Sequence, residues 1–91
     1  MAPPLTSAAV PVLWRLARLD FDSVRQRYVL LYPEGTVLLN ETSAAILGLC
    51  DGHRTVDEIT RVLQERYGGV VAADVTEFLS QLAERELIRD A

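Results

Sequence analysis

An α+β fold, with three antiparallel strands ahead of a three-helix bundle, follows from three features of the sequence. Before Asn40 the chain carries runs of β-branched, aromatic and leucine residues broken by turn signals, most clearly in "RQRYVLLYPEGTVLLN". After Asn40 apolar residues recur at helical spacing. Two of the helical runs open on a residue whose side chain caps a helix, and glycines separate the runs. Strands grouped first and helices grouped afterwards give α+β rather than alternating α/β.

Each element has its own reason. Residues 1–12 hold three of the four prolines and read as a flexible Pro-rich N-terminal segment whose order depends on docking. Residues 13–91 form the single domain, with strands over about 14–39. The first strand is expected from about Trp14 to Phe21, although Trp14, Ala17 and Phe21 would also suit a helix. A polar loop over Asp22 to Gln26 leads to a second strand, Tyr28 to Tyr32. Pro33-Glu34-Gly35 makes a turn, proline suiting an early position and glycine tolerating positive φ. Thr36 to Leu39 is the third strand.

Asn40 then caps a helix over about 41–50, with Glu41 in its first turn and Asp51-Gly52 ending it. Thr55-Val56-Asp57-Glu58 fits a reciprocal capping box at the head of a second helix, about 55–67. Val56, Ile59, Val62 and Leu63 form its apolar stripe, and Gly68-Gly69 breaks it. A third helix, about 72–86, has Val75, Phe78, Leu79, Leu82 and Ala83 at i, i+3, i+4, i+7 and i+8. Leu87 and Ile88 close the chain.

Composition excludes several classes. With 91 residues there is room for one core. Hydrophobic residues make up 49%, which in so small a body leaves apolar surface open to a partner. The 9 basic residues, all arginine, are outnumbered by 13 acidic ones, giving a net charge of -4. That balance disfavours nucleic acid as a partner. One cysteine makes no internal disulfide. The N-terminus lacks the basic start of a signal peptide, and no run is long enough to span a membrane, so a cytoplasmic protein with no membrane partner is expected.

Catalytic and cofactor chemistry finds little support. "LCDGHRT" holds the only cysteine and the only histidine, Cys50 and His53. Cys50 falls in the last turn of a helix, where a small buried thiol is common, and His53 lies in a polar turn with nothing to orient its ring. No second Cys or His completes a metal set, and no nucleotide, hydrolase or zinc-protease motif is present. Binding, with no enzyme activity and no cofactor, is the better class. Strands followed by three short helices also resemble a winged-helix body, so a winged-helix DNA-binding regulatory domain is the alternative. Its reading helix would be "DVTEFLSQLAERELI", where Asp74, Glu77, Glu84 and Glu86 oppose Arg85 alone and a DNA groove would repel them.

The run "RYVLLYPEGTVLLNETSAAILGLCDGHRTVDEITRVLQERYG", with Asp74-Val75, Phe78-Leu79, Leu82 and Leu87 beyond it, resembles the PqqD family of peptide chaperones of pyrroloquinoline quinone biosynthesis. The resemblance covers about Leu16 to Ile88. It departs from the family's pattern at Gly35, where a larger residue is usual, and at Glu86, where a glycine is common. It implies a recognition element that binds the ribosomal precursor peptide PqqA and presents it to the radical SAM enzyme PqqE. In related recognition domains the leader adds as an extra strand to the three-stranded sheet and packs against the third helix.

On that model the edge strand Thr36, Val37, Leu38 and Leu39 pairs with the peptide. Val37 and Leu39 floor a groove that Val75, Phe78, Leu79 and Leu82 wall, although most of those four must also build the core. Arg25 and Arg27 stand near the hairpin to meet acidic leader residues, with Glu34 opposing them. A bare edge and a hairpin hinge also open a route to a homodimer by strand or hairpin exchange.

Overall fold

The computed structural model describes residues 5–91. Its elements run β1 (Pro11–Leu13), β2 (Arg18–Asp22), β3 (Arg27–Tyr32), β4 (Gly35–Leu38), α1 (Glu41–Gly48), α2 (Val56–Arg66), α3 (Ala72–Glu84) and β5 (Ile88–Asp90). Strands β2, β3 and β4 form an antiparallel sheet with β3 in the centre, and β1 pairs with β5 in a separate two-stranded sheet. The α+β architecture of three sheet strands and three helices is therefore present.

Turn chemistry sets the three-stranded sheet. The Asp22 carboxylate accepts from the backbone N–H groups of Val24 and Arg25 at 3.0 and 3.1 Å, the aspartate turn that reverses β2 into β3. At the other end Tyr32 pairs directly with Gly35, leaving Pro33-Glu34 as the tight turn. Gly35 thus belongs to β4, not to the turn, and its φ is not positive. Leu19, Leu30 and Val37 lie side by side on the face toward the helices.

The N-caps of the first two helices match their sequence signals. Asn40 accepts from the Ser43 N–H at 2.7 Å. Thr55 and Glu58 form the reciprocal box, each side chain bonded to the other's backbone N–H. Gly52 is displaced from its expected role. The first helix ends at Gly48 with Leu49 as its cap, and Gly52, at φ +79, sits in the following turn and donates to the Pro11 carbonyl at 3.1 Å. The third helix ends at Glu84 in a Schellman motif. Leu87 N–H reaches the Leu82 carbonyl and Glu86 N–H the Ala83 carbonyl, with Glu86 left-handed at φ +62.

Two expectations fail at the chain's start. The stretch from Trp14 to Ala17 is a turn, closed by Ala17 N–H on the Trp14 carbonyl at 2.9 Å, so the sheet strand begins at Arg18. Residues 5–12 are docked rather than flexible, while residues 1–4 lie outside those described. Leu5 and Ala9 are buried. The carbonyls of Ala9 and Ser7 accept from Val56 and Asp57, filling two of the open donors at the head of α2. Pro11, Val12 and Leu13 pair with Asp90, Arg89 and Ile88. The partner of β1 is the far end of the chain, a distant pairing that local pattern does not carry.

The core joins Leu30 and Leu39 from the sheet region with Ile46 and Leu47 of α1, Ile59 and Leu63 of α2, and Val75, Leu79 and Leu82 of α3. No helix among the described residues is long and apolar enough to cross a membrane.

Candidate peptide-binding site

One bond fixes the phase of β4. Leu39 N–H donates to the Tyr28 carbonyl at 3.0 Å. Hydrogen bonding alternates along an antiparallel strand, so Gly35, Val37 and Leu39 turn their backbone groups toward β3. Thr36 and Leu38 then turn theirs outward, and β4 is an edge of the sheet. Neither finds another backbone partner among the described residues. These are the groups an added strand would bond.

The opposite edge, β2, is guarded. The Asp20 carboxylate accepts from Phe21 N–H at 2.8 Å, occupying a donor that by the same alternation points outward. Arg18 pairs with Asp20 at 3.5 Å along the same strand. Charges and self-bonded donors are how edge strands avoid unwanted pairing.

The expected contact residues separate into layers. Thr36 and Leu38 are exposed, Leu38 by 48% on the sheet's outer face across from Val29. Val37 and Phe78 are half-buried and packed against the core. Leu39, Val75, Leu79 and Leu82 are inside the core; of the four only Leu39 lines a groove, the one beside the β2–β3 hairpin rather than one along β4 and α3. Arg85, at the end of α3, donates to the Tyr32 hydroxyl and lies 5.6 Å from that ring, tying α3 to the β3–β4 hairpin. That bond is not legible from local pattern, since 53 residues separate the partners.

Arg25 and Arg27 stand at the β2–β3 turn, at the other end of β3 from Glu34. Arg25 pairs with Asp22 at 2.8 Å, and that hydrogen bond holds the Asp22 carboxyl below its ordinary 3.8. Arg27 donates to the Leu39 carbonyl through Nε and Nη2 at 3.3 and 3.2 Å, bracing the end of the edge strand.

Cys50 is buried just beyond α1 and its thiol donates to the Ile46 carbonyl at 3.3 Å. Burial, with the Asp51 charge beside it, pushes the thiol up to about 12, so at neutral pH it is not a nucleophile. His53 is exposed, and its backbone N–H donates to Asp51 at 2.9 Å. No group of three or more His, Cys, Asp or Glu among the described residues is placed to hold a metal ion.

Two grooves flank the sheet. One, about 820 Å³, lies between the Arg85–Tyr32 link, Trp14 and β5. The other, about 680 Å³, opens between the β2–β3 hairpin and the corner of α1 and α2. Neither was legible in the sequence, because each is lined by segments far apart in the chain.

Residues 27–88 match the family model for coenzyme PQQ synthesis protein D, PqqD. The chain is 42% identical over 76 residues to the PqqA binding protein of Methylococcus capsulatus, covering 82% of each. It is 45% identical over 73 residues to the PqqA binding protein of Klebsiella pneumoniae strain 342, covering 78% of this chain and 79% of that one. Its fold superposes with a TM-score of 0.80 and 36% identity on the PqqD truncation of Methylobacterium extorquens PqqCD, a stand-alone recognition element for ribosomally synthesised, modified peptides, over 93% of this chain and 94% of the other. On the family match, these relatives and the shared sheet-and-helix architecture, this chain belongs to the PqqD family.

Proposed function

We propose that this chain is a non-enzymatic chaperone that binds the precursor peptide PqqA by strand addition and presents it to the radical SAM enzyme PqqE in pyrroloquinoline quinone biosynthesis. The observation that carries the reading is the open edge of β4, where Thr36 and Leu38 turn unpaired backbone groups outward while the β2 edge is guarded by Asp20. Backbone bonds supply affinity that tolerates sequence, and side-chain contacts add selectivity. Val37 and Phe78 offer the reachable apolar surface, with Leu39, Val75, Leu79 and Leu82 holding that surface in place from beneath. The names of the relatives, PqqA binding protein, support the choice of peptide.

The buried, un-ionised Cys50 supports a role without catalysis. The acidic third helix supports a peptide rather than nucleic acid as ligand. We place the protein in the cytoplasm, where a ribosomal peptide is released. The bare β4 edge also favours a homodimer by strand or hairpin exchange when peptide is absent. Light scattering that finds only monomer at high concentration removes that dimer.

The test is a ¹H–¹⁵N titration of labelled protein with synthetic PqqA. Saturable shifts on Thr36, Val37, Leu38 and Phe78 are expected. Shifts confined to another face overturn the β4 site, and no shifts at large peptide excess overturn PqqA binding itself.

A further inference from the structure

The inner face of the three-stranded sheet is covered by helices along Leu19, Leu30 and Val37, but its β2–β3 end is bare. Phe21 and Tyr28 share that face and pair across the strands, yet are 47% and 41% exposed. Their rings meet edge to face, 5.0 Å apart at 70°, which gives the patch a defined shape. The short side chains of Ala44 and Ala45 line the groove below, so nothing from α1 fills it. Apolar surface left open on the core side of a sheet is where a partner is expected.

The rim carries a sign opposite to the rest of the protein. Arg25, Arg27 and Arg66 line the groove against Glu41 alone. Arg25 is engaged with Asp22, but neither Arg27 nor Arg66 has an ion-pair partner among the described residues. In a chain of net charge -4, a local cationic rim around an aromatic patch selects an acidic surface with an apolar side chain at its centre. Strand addition is opposed beside it, because Asp20 holds the outward Phe21 N–H. The groove therefore takes side chains. Phe21 stands on the edge of the sheet opposite β4, so the two sites can be filled together.

We infer that this groove docks an acidic, apolar-tipped segment of the enzyme that receives the peptide. The inference rests on the reading that bound peptide is handed to such an enzyme, and it names the face on which the handover complex forms.

The test measures binding of PqqE and of PqqA separately, by calorimetry, to the full chain and to Arg66→Glu, Phe21→Ser and Leu38→Pro, each first checked for folding by thermal melting. Arg66→Glu and Phe21→Ser should weaken PqqE binding by about tenfold or more, as removal of a central contact does, while leaving PqqA affinity within about twofold. Leu38→Pro should do the reverse. PqqE binding by the full chain should also weaken as salt rises. Folded Arg66→Glu that binds PqqE like the parent overturns the docking face, and so does a parent chain that does not bind PqqE at all. A parent chain that binds PqqE but not PqqA sinks the peptide reading instead, and Arg66→Glu still decides this one.

Discussion

Leu39 N–H donates to the Tyr28 carbonyl at 3.0 Å, and this contact decides which backbone groups of β4 face outward, where an added strand would bond. With Leu39 bonded inward, alternation sends the N–H of Val37 inward and that of Leu38 outward. Proline removes an N–H, and edge strands tolerate it only on the solvent side. Leu38→Pro should keep the fold and weaken PqqA by about tenfold, the worth of one hydrogen bond. Val37→Pro should lose a ladder bond and destabilise the domain by about 1–3 kcal/mol. Thermal melts beside peptide titrations separate the two, and equal effects from both would show the phase to be wrong.

Adjacent residues on α3 should behave differently. Leu79 is fully buried, so Leu79→Ala should cost roughly 2–5 kcal/mol. That is a large share of the roughly 5–14 kcal/mol available to a chain of this size. Phe78 is half-buried, and Phe78→Ala should cost only about 1 kcal/mol of stability while lowering PqqA affinity. Urea unfolding and calorimetry on both variants check this.

Glu86 holds a left-handed conformation, φ +62, at the residue after the third helix's cap, a place that favours glycine. A non-glycine residue there costs roughly 1–2 kcal/mol, partly offset by the greater chain entropy glycine loses on folding. Glu86→Gly should therefore stabilise the domain by roughly 0.5–1 kcal/mol and raise Tm by a few degrees. Calorimetric melts that show no gain or a loss would argue that the Glu86 side chain supports the turn.

Stability should fall at both ends of the pH scale. Hydrogen bonds hold Glu58 (from the Thr55 N–H first), Asp51 (from the His53 N–H first) and Asp22 (from Arg25) below their ordinary values of 4.5, 3.8 and 3.8. The unfolded chain then binds protons first on acidification. Their contribution is complete above the ordinary values and lost as pH falls through the lower folded ones. Cys50 works in the other direction, pushed from 9.0 to about 12 by burial, so its contribution is complete below 9.0 and lost as pH rises toward 12. Melts across pH should show both limbs. Glu58→Gln should flatten the acid limb and Cys50→Ala the alkaline one.

Local signals were legible where one short segment contained all the parts. Asn40 with Ser43, Thr55 with Glu58, and the Asp22 turn each join residues within three positions of one another, and each is present in the fold. The α3 stripe was equally readable as apolar, but a stripe does not say which member lies at the surface. Val75, Leu79 and Leu82 went to the core and left Phe78 at its margin.

The sequence by itself determined the succession of three sheet strands and three helices, the side-chain caps at Asn40 and Thr55 and the family to which the chain belongs, because these depend on residue type at short spacing. Tertiary structure alone decided that the N-terminal segment docks as β1 against β5, that Arg85 meets Tyr32, and that β4 is the open edge while Asp20 guards β2. Those relationships join distant segments or depend on hydrogen-bond phase. Both are fixed only when burial of the core brings the whole chain together.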